Sequence, residues 1–185
     1  MPQIYKNACE LVGNTPLLKL TRLGEKVGTT ANITAKLEYL NPAGSVKDRV
    51  GLWLIKDAEE KGILTPDSVI IEPTSGNTGI VLASVGVQRG YRVIIIMPDT
   101  MSEERRKLMR AYGAELVLTD GRLGMRGAIE KAEELAKEIP SAFIPSQFDN
   151  PANALAHYNT TGPKSGVILT GMWIYLYRAL ERAER

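Results

Sequence analysis

The sequence predicts an α/β fold in which parallel, twisted sheets carry helices on both faces. Short apolar runs alternate with helix-like amphipathic runs along most of the 185 residues, as in strand–helix–strand units. Residues 93–97 (V-I-I-I-M) are continuously apolar, which is typical of a strand buried on both faces of a parallel sheet. Residues 69–71 form another such run and lead into a polar stretch, where ligands commonly bind in open α/β sheets.

Turn-forming and capping residues divide the chain into short elements. Gly62 follows a helix-like run in the position where glycine commonly ends a helix, and Ser45 stands where a hydroxyl can cap a helix start. The elements predicted on this basis are helices at residues 46–61, 80–89, 102–112 and 127–138, strands at residues 33–40, 69–71, 93–97, 116–118 and 142–144, a loop at residues 13–16, and a flexible loop around Gly121 and Gly124.

The composition is that of a soluble globular protein. Hydrophobic residues make up 44% of the chain and charged residues 24%, so disorder is not expected. The net charge of +2 and the lack of a membrane-length apolar run argue against binding to nucleic acid or to a membrane. The single cysteine, Cys9, excludes an internal disulfide and agrees with a cytoplasmic location. We interpret Cys9 and the single histidine, His157, as structural, and we expect no metal site.

The first candidate stretch is N-P-A-G-S-V-K-D-R at residues 41–49. Its proline closes the preceding strand, because proline lacks the N–H that a ladder needs, and Gly44 permits a tight turn. Lys47 then falls in the first turn of a helix, where the helix dipole is positive and disfavours a cation. A lysine that reacts as a neutral amine suits this position. The alternative is an ordinary solvated surface lysine.

The second candidate stretch is P-T-S-G-N-T-G at residues 73–79, which joins a strand to a helix. The unpaired N–H groups of a helix N-terminus attract anions, and neighbouring hydroxyl and amide groups add donors suited to a carboxylate. The stretch lacks the G-K-[ST] of a P-loop and the G-x-G-x-x-G of a dinucleotide fold. The alternative is a capped turn, where these residue types are also common. The candidate residues are Thr74, Ser75, Gly76, Asn77 and Thr78.

Four motifs in order make the chain resemble the cysteine synthase (O-acetylserine sulfhydrylase) family. They are G-N-T-P-L from Gly13, N-P-A-G-S-V-K-D-R from Asn41, P-T-S-G-N-T-G from Pro73 and Q-F-D-N-P-A-N from Gln147. The likeness extends from about residue 4 to residue 163 and implies the N-terminal part of a two-lobed pyridoxal 5'-phosphate enzyme of fold type II. By this resemblance Lys47 is catalytic and holds the cofactor as a Schiff base, and Asn77 contacts the cofactor ring oxygen. The residues implied to bind the substrate are Thr74, Ser75, Gly76, Asn77, Thr78 and Gln147.

The resemblance implies a β-replacement that converts O-acetyl-L-serine and sulfide into L-cysteine and acetate. The cofactor supplies the electron sink, and Lys47, released from the Schiff base, takes the Cα proton before acetate leaves to give an aminoacrylate. The implied partners are the two substrates, a second subunit in a homodimer and the C-terminus of serine acetyltransferase. The alternatives are a non-catalytic fragment that binds a carboxylate or a peptide C-terminus, and an enzyme similar to cystathionine β-synthase or threonine dehydratase.

The family pattern also predicts how the chain is divided. Residues 1–50 are expected to form the N-terminal part of the large cofactor lobe, and residues 51–155 a small mobile α/β lobe. Residues 156–163 would return towards the cofactor lobe, and residues 164–185 form a tail outside the family pattern.

The tail from Lys164 to Arg185 departs abruptly from the family, which continues to a G-T-G-G-T loop that cradles the cofactor phosphate. That loop is absent from this sequence. One set of codons for the tail, read one nucleotide out of frame, encodes E-I-W-R-D-T-D-G-N-V-D-I-F-V-S-G-V-G-T-G-G-T, which is family-like. We therefore expect a frameshifted, truncated product, or a faulty reading of the gene, without catalytic activity and with exposed apolar surface at residues 167–177. The alternative is an unrelated natural tail.

Overall fold

The computed structural model describes residues 4–168, with side chains described for residues 4–166. Helices and strands alternate along most of this part of the chain. The strands are β1 (Leu17–Lys19), β2 (Thr34–Lys36), β3 (Val69–Pro73), β4 (Arg92–Pro98), β5 (Glu115–Thr119) and β6 (Ala142–Phe143). The helices are α1 (Thr21–Val27), α2 (Lys47–Glu60), α3 (Asn77–Gln88), α4 (Glu103–Ala111), α5 (Gly124–Glu138), α6 (Ala152–Ala156) and α7 (Gly162–Ile168), and single turns of other helix types lie at Ala8–Leu11, Glu38–Leu40, Gly121–Leu123 and His157–Thr161.

Strands β3 to β6 form one parallel sheet in the order β5-β4-β3-β6. Ile70 pairs with Val93 across β3 and β4, and Ile95 pairs with Leu116 across β4 and β5. The central strands are buried on both faces, as continuous apolar runs require in a parallel sheet. The predicted α/β class with a parallel sheet is therefore confirmed.

Two apolar layers cover the opposite faces of this sheet. On one face Ile70 and Ile95 pack with residues of α2, α3 and α4. On the other face Ile71 and Ile96 pack with Ala128 and with Ala132 on α5. Burying each large aliphatic side chain contributes roughly 1.5–3 kcal/mol, so these layers fix the sheet edges where the loops begin.

The N-terminal part of the chain forms a small antiparallel pair, of which the sequence pattern predicts only the second strand. β1 pairs with β2, with Leu17 opposite Lys36. The predicted strand at residues 33–40 is wrong in its extent, because pairing ends at Lys36 and residues Glu38–Leu40 turn as a 3-10 helix. The turn is held by the Asn41 side chain, whose Nδ2 donates to the Glu38 carbonyl at 2.9 Å. The chain thereby changes direction towards α2.

One local prediction is confirmed and another is corrected. Ser45 caps the start of α2: its hydroxyl accepts from the Lys47 N–H at 3.1 Å, and the Asp48 carboxylate accepts from the Ser45 N–H at 3.2 Å, while Val46 already has helical dihedral angles. Gly121 and Gly124 do not form a flexible loop: they lie in a 3-10 turn and at the start of α5. The Gly121 N–H donates to the Asp99 carboxylate at 3.0 Å, and a Cβ on Gly121 would lie 2.3 Å from the Thr100 methyl carbon. This contact fixes the turn and explains the glycine.

Among residues 4–168, no helix is both long and apolar enough to cross a bilayer. The apolar surface predicted for residues 167–177 lies outside the described side chains.

Candidate active site

The loop before Lys47 is held by two buried polar side chains. Asn41 accepts from the Gly13 N–H at 2.7 Å and donates to the Ser45 carbonyl at 2.9 Å. The Asp48 carboxylate, fully buried, accepts from the backbone N–H groups of Ala43 at 2.6 Å and Ser45 at 3.2 Å. Burial raises the pKa of Asp48, and these backbone hydrogen bonds oppose the rise. Lys47, half-buried as the first residue of α2, therefore projects from a fixed loop.

An ion pair next to this loop ties α2 to the N-terminal segment. Arg49, only 1% exposed, donates to both carboxylate oxygens of Glu38, at 2.8 and 2.9 Å. Its Nη2 also donates to the Gly13 carbonyl at 3.0 Å and to the Thr15 hydroxyl at 3.1 Å. Burial raises the pKa of Glu38, but the hydrogen bonds from Arg49 and Thr15 outweigh that effect and lower it. The segment that contains Lys47 is thus anchored at both of its ends.

The second candidate stretch follows the carboxyl end of β3. Thr74 and Thr78 are buried, whereas the three residues between them are half-buried. The Thr74 N–H donates to the Ile96 carbonyl at 3.0 Å, which extends the β4 contact beyond the strand. α3 begins at Asn77, so the N–H groups of its first turn lie in this stretch. Among residues 4–166, nothing lies within 4 Å of the Cβ position of Gly76, so the described part of the chain leaves the loop open on that side.

Close packing of α2 on α3 brings the two candidate stretches to the same end of the fold. A Cβ on Gly51 would lie 2.4 Å from Val81 Cγ1, and one on Gly86 would lie 3.9 Å from Ile55 Cδ1. Ile55 lies four residues after Gly51 on α2, and Gly86 lies five residues after Val81 on α3. The two helices therefore run in the same direction. One turn before the Gly51–Val81 contact lie Lys47 and Asn77, the first residues of the two helices. The N-terminal turns of both helices therefore lie side by side.

Gln147 reaches the same loop from a distant part of the chain. Its side chain is 5% exposed, and its Oε1 accepts from the Thr78 hydroxyl at 2.5 Å. The Asn153 side chain donates to the Gln147 carbonyl at 2.8 Å and fixes the backbone there. The structure thus brings Gln147 to Thr78, as two residues of one site require. Their roles in binding remain predictions.

Glu72 is a buried acid beside this site that the sequence pattern does not single out. It is 2% exposed on β3, and its Oε2 accepts from the Ser146 N–H at 3.2 Å. Burial raises its pKa to about 7, and hydrogen bonds from the backbone of Ser146 and Gln147 oppose the rise. The available signal is a glutamate inside an apolar strand, since glutamate is almost never fully buried without partners.

Cys9 and His157 lie elsewhere. The Cys9 thiol donates to the Gln88 side chain at 3.1 Å, at the opposite end of α3 from Asn77. His157 Nδ1 is 2.9 Å from the Thr161 hydroxyl within the π-helical turn. Within residues 4–168, no group of three or more potential metal ligands comes together.

Comparison with known proteins places this geometry in a family. The model of the family described as pyridoxal-phosphate dependent enzyme matches residues 9–164. The chain belongs to that family. Within it, the chain is 57% identical over 157 residues to the cysteine synthase of a Flavobacterium species, a match that covers 85% of this chain and 50% of the relative.

Solved structures agree with the fold. The crystal structure of O-ureido-L-serine synthase aligns with a TM-score of 0.86 at 43% identity, covering 93% of this chain and 53% of that one. The O-acetylserine-dependent cystathionine β-synthase of Helicobacter pylori aligns with a TM-score of 0.84 at 41% identity, covering 91% and 55%. The chain therefore spans about half the length of the relatives that it matches.

Proposed function

We propose that the described residues supply the lysine and the substrate-carboxylate loop of a cysteine synthase site. The reaction would convert O-acetyl-L-serine and sulfide into L-cysteine and acetate. The observation that carries this proposal is the parallel packing of α2 on α3, which sets Lys47 and Asn77 at neighbouring helix N-termini. The 57% identity to a cysteine synthase supports the choice of reaction within the family.

The residues present fit pyridoxal phosphate. Lys47 offers a primary amine on a fixed loop, and Asn77 offers an amide in the adjacent helix turn, next to the open side of Gly76. When bound, the cofactor supplies an electron sink for charge that develops at the substrate Cα. We assign to Lys47 the attachment of the cofactor aldehyde and the transfer of the Cα proton. We assign to Asn77 the orientation of the cofactor ring.

The Thr74–Thr78 stretch would hold the substrate carboxylate. The hydroxyls of Thr74 and Ser75 and the N–H groups at the start of α3 are donors of the kind that carboxylates accept, and the Thr78 hydroxyl would join them by turning from Gln147. Gln147, bonded to Thr78, would close the site and exclude water. Exposed Arg105 adds a positive charge nearby, with its Nη1 3.5 Å from the Ser75 carbonyl.

The wider assignments are part of the same proposal. We retain the division into a cofactor-lobe segment at residues 1–50 and a small lobe at residues 51–155. We also retain a cytoplasmic homodimer that binds the C-terminus of serine acetyltransferase. The phosphate-binding G-T-G-G-T loop would be encoded in the reading frame that is displaced by one nucleotide from the frame of residues 164–185.

Reductive trapping tests the role of Lys47. The 185-residue chain is incubated with limiting pyridoxal phosphate, reduced with borohydride, digested and examined by mass spectrometry. We expect Lys47 to carry most of the label and Lys47→Ala to lose it. Lys56, exposed on the same helix, gives the matched control, since Lys56→Ala should leave labelling of Lys47 unchanged. Equal labelling of Lys47 and Lys56 would contradict the proposal.

A second candidate function is favoured by one observation. Gln147, held by the Thr78 hydroxyl, and the nearby Arg105 would offer donors for a carboxylate without involving Lys47. A non-catalytic module that binds a carboxylate or a peptide C-terminus would use this part alone. Binding of a short peptide that is lost on amidation of its C-terminus, together with unselective lysine trapping, would support this reading. The similarity to the Helicobacter pylori enzyme makes a cystathionine β-synthase-like reaction the alternative within the family.

A further inference from the structure

We propose that the carboxylate of Glu72 is a positioning residue that holds Gln147 over the carboxylate-binding loop. The inference rests on the proposed function, because it concerns how that same site closes on its substrate. Glu72 does not touch the substrate loop with its own side chain in any described hydrogen bond. It would act through the backbone of Ser146 and Gln147.

The contact that carries the inference joins β3 to a loop 74 residues further along the chain. Glu72 Oε2 accepts from the Ser146 N–H at 3.2 Å. Ser146 has φ +50°, in the left-handed region that residues with a Cβ rarely adopt. Such a conformation persists only where surrounding bonds hold it. The Glu72 carboxylate is one of those bonds.

The loop beyond Ser146 is folded so that this bond controls Gln147. The Ser146 carbonyl accepts from the N–H groups of Asp149 and Asn150, each at 3.0 Å. Gln147 in turn bonds to the Thr78 hydroxyl. Glu72 and Thr78 lie on either side of the Thr74 turn, so the contacts close a ring around the carboxyl end of β3. A change at Glu72 is therefore transmitted to the loop through Gln147.

The surroundings of Glu72 leave the two loop N–H groups as the interactions that favour its charged form. Burial raises its pKa to about 7, while the N–H groups of Ser146 and Gln147 lower it. Of the elements packed on β3, α3 and β6 contain no charged residue. On β4, Arg92 pairs with Glu115 at 2.7 Å. α5 packs on the face of the sheet that carries Ile71. Glu72 lies two residues after Ile70 and therefore on the other face.

Ionisation of Glu72 therefore strengthens its hydrogen bonds with the N–H groups of Ser146 and Gln147, since hydrogen bonds to a charged acceptor are stronger than those to a neutral one. The ionised state should hold Gln147 in place for a substrate carboxylate. The protonated state, or a glutamine at this position, should leave the loop looser without emptying the space that Glu72 fills.

The test compares Glu72→Gln with the unaltered 185-residue chain by NMR. Glu115→Gln is the matched control, because it removes an equal charge from an exposed position on the same sheet. In Glu72→Gln we expect amide exchange at Ser146 and Gln147 to become at least about tenfold faster, as loss of a charge-assisted bond implies. We also expect their pH-dependent shifts, with a midpoint near 7 in the unaltered chain, to disappear. The affinity for O-acetyl-L-serine at pH 7.5 should fall about tenfold.

The outcomes separate the two proposals. If O-acetyl-L-serine shifts no amide of residues 74–78 in the unaltered chain, the proposed function fails, while the exchange and pH readouts still decide the role of Glu72. Unchanged exchange at Ser146 and Gln147 in Glu72→Gln overturns the positioning role, whatever happens to binding. Unchanged β4 and β5 amide spectra verify that the variant is folded.

Discussion

Gly51 on α2 lies so close to Val81 on α3 that a Cβ at position 51 would stand 2.4 Å from Val81 Cγ1. Gly51→Ala must therefore push the two helices apart, and overpacking of this kind costs about 1–3 kcal/mol. Because Lys47 and Asn77 are one turn away, we expect selective trapping of Lys47 by pyridoxal phosphate to decline as well. Thermal unfolding and the trapping assay measure the two effects.

Gly166→Ala is the control for this substitution. Gly166 lies on α7, and no described atom comes within 4 Å of its Cβ position, so alanine there should be neutral or slightly stabilising. A Gly51→Ala chain as stable as the Gly166→Ala chain would show that the α2–α3 contact does not constrain the helices.

Glu72→Gln should change how stability depends on pH. The pKa of Glu72 is raised by burial from its ordinary 4.5 to about 7, so the folded chain holds this proton more tightly than the unfolded chain. Its contribution to the free energy of unfolding is therefore full below about pH 4.5 and falls by about 3 kcal/mol as pH rises to 7. Glutamine has no such proton. Urea unfolding measures the free energy of unfolding of the variant minus that of the unaltered chain. This difference should favour the variant more at pH 8 than at pH 5. An equal difference at both pH values would contradict the prediction.

Glu38→Ala should be strongly destabilising. It leaves Arg49, 1% exposed, without its carboxylate partner, and an uncompensated buried charge costs about 3–5 kcal/mol. Because the pKa of Glu38 is lowered in the fold, its contribution is present above its ordinary pKa and is lost as pH falls through the folded value, opposite in sign to Glu72. Urea unfolding measures the loss. Glu134→Ala, which breaks an exposed pair with Lys131, should cost only about 0.5 kcal/mol, and similar losses in both variants would refute the buried-pair argument.

Lys164→Glu should stabilise the chain. Lys164 Nζ and Arg49 Nη2 both donate to the Gly13 carbonyl, each at 3.0 Å, so two cations share this acceptor, and Lys164 Nζ also donates to Asn14 Oδ1 at 3.0 Å. Burial and then Arg49 lower the pKa of neighbouring Lys36, and Lys164 adds to that effect. Arg49 Nη1 is buried without a partner among the described residues. Since Lys164 is exposed, we expect a gain of about 0.5–1 kcal/mol in thermal unfolding at low salt, with Lys164→Gln in between. A loss of stability on going to glutamate would contradict the charge argument.

The nucleotide sequence for residues 164–185 tests the reading-frame hypothesis. We expect an overlapping frame, displaced by one nucleotide, that encodes E-I-W-R and continues to G-T-G-G-T. That frame places a glutamate at position 164, where the structure brings the cations Arg49 and Lys164 close to Lys36. A gene whose other frames contain no such sequence would disprove the hypothesis.

The sheet is predictable from sequence because its strands are buried on both faces. The run at residues 93–97 is apolar throughout, which is the pattern expected of a strand buried on both faces. The observed strand β4 is longer than this run by only one residue at each end. Of the N-terminal pair, β2 falls within the strand predicted at residues 33–40, whereas β1 is not predicted. β1 is partly exposed and three residues long, so its pattern is too short to distinguish from a loop.

The site is predictable only in part. Lys47 stands out because a cation is disfavoured in the first turn of a helix, and residues 74–78 stand out because they gather hydroxyl, amide and glycine residues between a strand and a helix. Glu72 does not stand out, since its importance comes from contact with Ser146, 74 residues away. The parallel packing of α2 on α3 is equally hidden, because a glycine at position 51 in a helix does not reveal which side chain it faces.

The distances along the chain imply an order of assembly. Arg49 reaches Gly13 across 36 residues and Glu38 across 11, whereas Gln147 reaches Thr78 across 69 and Ser146 reaches Glu72 across 74. Closing a longer loop costs more entropy, and contacts between distant segments generally form late in folding. The bonds of Arg49, which anchor the segment that contains Lys47, can thus form while the Gln147 loop is still unattached. The same loop should be the part of the site that opens most readily in the native state, so substrate entry and the last step of folding would share one motion.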